Sequence, residues 1–134
     1  MIRVLLLLFA ALPAWAQSQY VLVVPASSKI SGVTELIADA TARPGEITYP
    51  AGDRAAELFA RMTRTKLTPV PGAALGDLLQ GKLSFMFLPV GLYVDDGKLR
   101  AFAVTGGRAN ALPKVPTMAE AGFRGFDEEL ARGK

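Results

Sequence analysis

The sequence predicts an α/β domain: a mostly parallel sheet with helices on both faces. Three observations carry this expectation. Short apolar, β-branched runs alternate with stretches of helical spacing, Gly or Pro punctuates most junctions, and 134 residues suffice for one domain with a real core. Such alternation normally lays each strand beside the last through a helical crossover.

Residues 20–24 are a continuous apolar run, as in a strand buried on both faces, and Pro25 ends it. Ser31-Gly32 opens a helix over 33–43 with Val33, Leu36, Ile37 and Ala40 on one face; Pro44-Gly45 stops it. A short strand over 46–49 follows. Asp53 can cap a second helix running to residue 65, in which Ala55, Leu58, Phe59 and Met62 recur at helical spacing and read as core. Arg61, Arg64 and Lys66 near its end complement the helix dipole. Beyond it come a strand over 68–70, a short helix over 73–80 with Leu75, Leu78 and Leu79 inward, and a strand over 84–88. Asp95-Asp96-Gly97 makes a turn before a fifth strand over 99–105. Thr117 and Glu120, preceded by Pro116, have the spacing of a capping box at a helix start. Residues 127–134 are polar without a strong apolar face and predict a frayed helical tail.

At the other end, Arg3, the apolar run over 4–12 and Ala14-Trp15-Ala16 predict a secretory signal peptide over 1–16, cleaved before Gln17. The run is shorter than the roughly 18 to 20 residues that span a bilayer, although an uncleaved anchor is the rival reading. The expected organisation is a signal peptide over 1–16, an α/β lobe over 17–126 and the tail over 127–134. The product is expected to be soluble and exported.

Composition narrows the chemistry. The chain has no His and no Cys, so the usual general base near neutral pH, the thiol nucleophile, a lipid-bearing cysteine, a disulfide and a thiolate metal site are all missing. No enzyme, cofactor or metal is expected, and the adjacent Asp95 and Asp96 read as a solvated turn. The net charge is only +3 and the basic residues are scattered, without a basic stripe interleaved with aromatics, so no nucleic-acid partner is expected.

A binding function would fall at Tyr49-Pro50-Ala51-Gly52-Asp53-Arg54, where a strand runs into a helix. Ligands of open α/β sheets sit at the carboxyl ends of strands, and N–H groups at a helix start attract anions. Asp53 counters this by occupying those donors and adding negative charge. Arg54 is the candidate there for direct carboxylate contact. Thr105-Gly106-Gly107-Arg108, after the fifth strand, could form an anion-binding nest.

Gly97-Lys98-Leu99-Arg100-Ala101-Phe102-Ala103-Val104-Thr105, followed by Leu112-Pro113-Lys114-Val115-Pro116-Thr117-Met118-Ala119-Glu120-Ala121-Gly122, resembles the "GKLRALAVT … LPDVPTxAEAG" segment of the Bug/TctC family. Upstream, residues 20–24, 33–38, 42–49, 57–59 and 76–82 look like further family segments in family order. These are periplasmic solute-binding receptors of tripartite tricarboxylate transporters, with a two-lobed periplasmic-binding-protein fold. The match is to the second lobe only; the opening lobe with its Gly-rich loop is not found between the leader and Tyr20.

The resemblance implies non-covalent capture of a small organic carboxylate for membrane transporter subunits, without turnover. It implies a ligand loop at Tyr49, Ala51 and Gly52, with Ala51 where the family pattern has its first serine and with the Gly-x-Gly-Ser-x-x-His part missing. A second ligand segment maps to residues 70–81, where Gly72 and the amides of Ala73 and Ala74 remain but the Tyr and Lys after the proline do not. Self-association, or a missing lobe supplied in trans, is a further implied contact. The alternative is a truncated, non-binding family member that acts only through protein contact.

Overall fold

The computed structural model describes residues 19–107, 112 and 114–132; the expected signal peptide lies outside them. The chain runs β1 (Tyr20–Pro25), α1 (Val33–Ala42), β2 (Thr48–Pro50), α2 (Arg54–Thr63), β3 (Thr68–Val70), α3 (Leu75–Leu79), β4 (Met86–Pro89), a 3-10 turn (Val90–Leu92), β5 (Leu99–Val104) and α4 (Phe126–Arg132).

The α/β class holds, but the sheet is mostly antiparallel rather than parallel. β1 lies between β4 and β5 and runs opposite to both, with Val21 facing Leu88 on one side and Val104 on the other. Only β2 and β3 pair in parallel, joined by α2 as one βαβ unit. Alternation along a chain identifies the elements, whereas parallel pairing needs successive strands to become neighbours. Here the neighbours of β1 come from far along the chain.

A polar seam joins the two sheets. The Thr48 N–H donates to Ser84 Oγ at 3.0 Å, the Ser84 N–H donates to Thr48 Oγ1 at 3.0 Å, and the Phe85 N–H reaches the Thr48 carbonyl at 3.3 Å.

Strand alternation divides the core. Leu22 and Val24 face a cluster with Phe59, Phe85, Phe87 and Phe126, beneath α1, α2 and α4. Val21 and Val23 face the other cluster, with Leu78, Leu88 and Val104, beneath α3. A bulge in β5 adjusts this pattern: Leu22 pairs with Ala103 and Val23 with Ala101, which leaves Phe102 unpaired and turned into the same cluster as Ala103.

The helices follow their punctuation. α1 ends before Gly45 at φ 84°, and α2 ends on Arg64 in the left-handed region. Ala55, Leu58 and Phe59 are buried as expected, while Met62 is half-buried against them. α3 differs from its sequence reading: Leu78 is fully buried but Leu79 is 44% exposed, because a helix of five residues can turn only one narrow stripe inward.

The last segment also differs. Thr117 and Glu120 make both bonds of the capping box: the Glu120 N–H donates to Thr117 Oγ1 at 3.0 Å, and the Thr117 N–H donates to Glu120 Oε1 at 2.9 Å. They head a single turn, since Gly122 at φ 106° breaks the helical path. Beyond Gly125 the expected helical tail is met by the helix α4, which starts one residue earlier, at Phe126. Its anchor, Phe126, lies just outside the stretch that reads as polar, and stacks on Phe87 with ring centroids 5.8 Å apart.

Thr117 is nearly buried and its N–H and hydroxyl are both committed to Glu120. Thr117→Ala is expected to cost about 0.5 to 2 kcal/mol in chemical denaturation, with the fold retained.

Candidate functional site

A cleft of about 660 Å³ opens at the carboxyl ends of β2 and β5. Its floor and walls are the turn from Pro50 to Asp53, the start of α2, Met86 and Phe87 of β4, Tyr20, Thr105 and Gly106, and one side of α4. The antiparallel course of β1 brings Tyr20 there. Its first residue meets the last of β5, so the Thr105 N–H donates to the Tyr20 carbonyl at 2.9 Å and the Tyr20 N–H to Thr105 Oγ1 at 3.0 Å.

The turn is fixed by its own backbone. The Asp53 N–H donates to the Pro50 carbonyl at 3.1 Å, and Gly52 takes φ 89°, the positive value that a type II turn requires at its third residue. The Ala51 N–H is spent on the Val70 carbonyl at 3.1 Å. The Gly52 N–H has no partner among the described residues and is the turn's remaining donor.

Asp53 caps α2 as its sequence position predicts, with Oδ1 accepting from the Ala56 N–H at 3.1 Å. Its other oxygen does something the sequence does not reveal: Oδ2 accepts from the Phe87 N–H of β4 at 2.9 Å. Burial pushes the carboxyl above its ordinary value of 3.8, and the charge of Glu57 adds to that. The N–H donors of Phe87, Ala56 and Ala55 pull the other way without cancelling it.

The remaining candidates separate. Ala51, Gly52 and Arg54 line the cleft. Tyr49 does not: its side chain is buried in the core, with its ring 6.0 Å from that of Phe85. Gly72, Ala73 and Ala74 lie beyond β3, outside the cleft. There the Ala73 N–H points to the Val70 carbonyl and the Ala74 N–H to Asp77 Oδ2 at 2.9 Å.

Arg54 extends a guanidinium whose Nη2 donates to the Leu130 carbonyl of α4 at 3.0 Å. In the Gly-Gly nest, the Gly106 N–H donates to Asp127 Oδ1 at 2.8 Å, and Gln19 Nε2 donates to the Thr105 and Gly107 carbonyls. Arg108 lies outside the described residues. Asp96 accepts from the Lys98 N–H within an exposed turn and does not line the cleft.

The cleft residues that sequence reading missed are Tyr20, Met86, Phe87 and the α4 group of Asp127, Leu130 and Ala131. For Tyr20 the signal was available only through the strand direction. For Asp127 there was none, since one acid in a polar run has no distinguishing context.

The fold is a single α/β lobe whose cleft is lined by backbone amides, a guanidinium and apolar side chains. A family model described as "Tripartite tricarboxylate transporter family receptor" matches residues 9–132. The chain belongs to this family, which is one of solute-binding receptors and not of enzymes.

Among relatives, the protein BugT of Bordetella pertussis is 35% identical over 120 residues, which are 79% of this chain and 37% of BugT. A UPF0065 protein from the tcbD-tcbE intergenic region of a Pseudomonas species is 33% identical over 122 residues, 80% of this chain and 36% of the relative. Among solved structures, Rpa4515 of R. palustris with adipate superposes with a TM-score of 0.72 at 31% identity, covering 81% of this chain and 41% of that one. The chain thus spans less than half the length of each of these three proteins.

The pH dependence of Asp53 follows from its burial. A carboxyl whose value is raised by folding takes up its proton in the native state before the unfolded chain does. Stability is gained as pH falls through the raised value and is complete below the ordinary value of 3.8. Asp53→Asn does not titrate, so the advantage of the wild type over this variant is expected to widen from pH 7 towards pH 4 in urea denaturation.

Proposed function

We propose that this chain is a ligand-holding lobe of a periplasmic solute-binding protein for tripartite tricarboxylate transport, and that its cleft takes a small organic carboxylate. The observation that carries the reading is the coincidence of the cleft with the Ala51-Gly52 turn at the strand ends. There the Gly52 N–H remains as a donor and Arg54 supplies the positive charge.

One carboxylate group would accept from the Gly52 N–H and the Arg54 guanidinium, and a short methylene chain would lie against Met86 and Phe87. The binding is non-covalent. A cleft of about 660 Å³ falls within the usual range for small-molecule sites. The adipate in the solved R. palustris relative supports the ligand class. Family membership supports delivery to membrane transporter subunits and a periplasmic location.

The open side leaves much of a ligand in water, and Asp53 adds negative charge beside the donors. Adipate is therefore expected to bind with a dissociation constant near 1 mM, about −4 kcal/mol. Amide chemical shifts should move most at Ala51, Gly52 and Asp53 during titration. No movement by about 10 mM adipate, roughly tenfold above that constant, would sink the receptor reading in favour of a non-binding family member.

Export is tested separately. Arg3, the apolar run over 4–12 and Ala14-Trp15-Ala16 lead to an intact mass of secreted protein that starts at Gln17. Membrane-bound material retaining Met1 would instead support an anchor.

A further inference from the structure

We propose that α4 is a built-in occupant of one side of the cleft: the Asp127 carboxylate holds the position of a ligand carboxylate at Gly106, and a ligand reaches that second anchor point by displacing the helix. This rests on the carboxylate-binding reading above and assigns a second anchor point within the same cleft.

The donors show the substitution. Gly106 follows β5 at φ 73°, a conformation suited to glycine, and its N–H lies on the cleft. It receives Asp127 Oδ1 at 2.8 Å, the length of a charge-assisted bond, as it would receive the carboxylate of an organic acid. Arg54, the cationic side chain on the cleft lining, is directed to α4 as well, through the Leu130 carbonyl. A guanidinium set against the negative end of a helix dipole makes the contact that it would make with a bound anion. Leu130 and Ala131 supply apolar surface to the same cleft, where the carbon chain of a ligand would otherwise lie.

The attachment of α4 suits displacement. Seven residues are too few for a helix to be stable alone. Its one fully buried anchor is Phe126, at the first position; Leu130 is half-buried against the same cluster, while Glu128, Glu129 and Arg132 are exposed. The ion pair between Arg132 and Glu129 lies within the helix and does not tie it to the body. The helix can therefore swing about Phe126 once the Asp127 and Leu130 contacts are exchanged for those of a ligand. Segments with few buried anchors open ahead of the core. A tethered carboxylate competes at an effective concentration in the millimolar range, so an external acid binds weakly for as long as Asp127 is in place.

Two measurements on the full chain test this. In calorimetric titration, Asp127→Ala should bind adipate about tenfold more tightly than the wild type. Asp127→Asn, which keeps an acceptor for the Gly106 N–H but lacks the charge, should fall between them. In native-state hydrogen exchange of the wild type, the Leu130 and Ala131 amides should exchange well before the Phe59 amide of α2, and faster still in saturating adipate. Equal or weaker adipate binding by Asp127→Ala, or α4 protection unchanged by adipate, overturns the proposal while leaving the receptor reading intact. If neither protein takes adipate, the receptor reading fails and exchange alone decides on the helix: release together with Phe59 makes α4 part of the body, and early release shared with Gly106 upholds it as a removable occupant.

Discussion

Two backbone N–H groups from different elements converge on the carboxylate of Asp53, and the shape of the cleft depends on that convergence. One belongs to Ala56 in the first turn of α2 and the other to Phe87 in β4. Burial works against a charge at this point, and the two donors offset much of that cost. The bond to Phe87 does what a cap alone cannot: it fixes where the helix starts relative to the sheet. With the start of α2 fixed, Phe59 reaches the rings of Phe85 and Phe87, at centroid separations of 5.9 and 6.2 Å. Phe126 of α4 stacks on Phe87, and α4 arrives at the cleft through that contact. A polar joint thus sets the register of an aromatic core.

The direction of β1 is the second constraint. A parallel β1 would send its first residue to the far end of the sheet, away from the end of β5. Because it runs antiparallel, Tyr20 and Thr105 bond to each other and close one wall of the cleft. The preceding residue, Gln19, then reaches the carbonyls of Thr105 and Gly107 and holds the Gly-Gly turn open towards Asp127. At the Gly-Gly turn that the sequence suggested as a nest, the Gly106 N–H is met by Asp127 of the same chain.

What was legible in the sequence was local. The Asp53 cap, the Thr117 and Glu120 box, and the stop at Gly45 each depend on a few neighbouring residues, and each stands where the residue types put it. Strand β3 also spans the residues expected of it. Strand partnership was not legible, because the apolar run of β1 suits any buried strand regardless of the direction of its neighbours. The cleft was half legible. Ala51, Gly52 and Arg54, expected from the strand-to-helix turn, line the cleft, whereas Tyr49 turns into the core, because a strand residue's choice of face depends on what packs beside it, here Phe85. α4 escaped notice for a related reason. Its one buried ring, Phe126, sits at the boundary of a polar stretch, and nothing within 127–134 discloses that Phe87 waits to receive it.

The internal carboxylates are not equivalent, and the difference decides where an anion can act. Open α/β sheets collect unpaired amides at the carboxyl ends of their strands, and these must be met by water, by a ligand or by the chain itself. Here Asp53 serves the end of β2, Asp77 the segment after β3 and Asp127 the end of β5. A hydrogen bond to a charged group contributes about 1.5 to 3 kcal/mol, so an incoming carboxylate gains little from displacing a carboxylate of equal chemistry unless the one displaced is loosely held. Asp53 is held by two elements and is part of the core joint, so the start of α2 stays closed to other anions. Asp77 turns back on its own short helix, away from the cleft. Asp127 alone combines a cleft position with attachment through a short helix whose one fully buried side chain, Phe126, sits at its first position. Access to the cleft is therefore unequal at its two sides: the Gly52 N–H stands ready, whereas the Gly106 N–H opens to a ligand only when its own chain gives way.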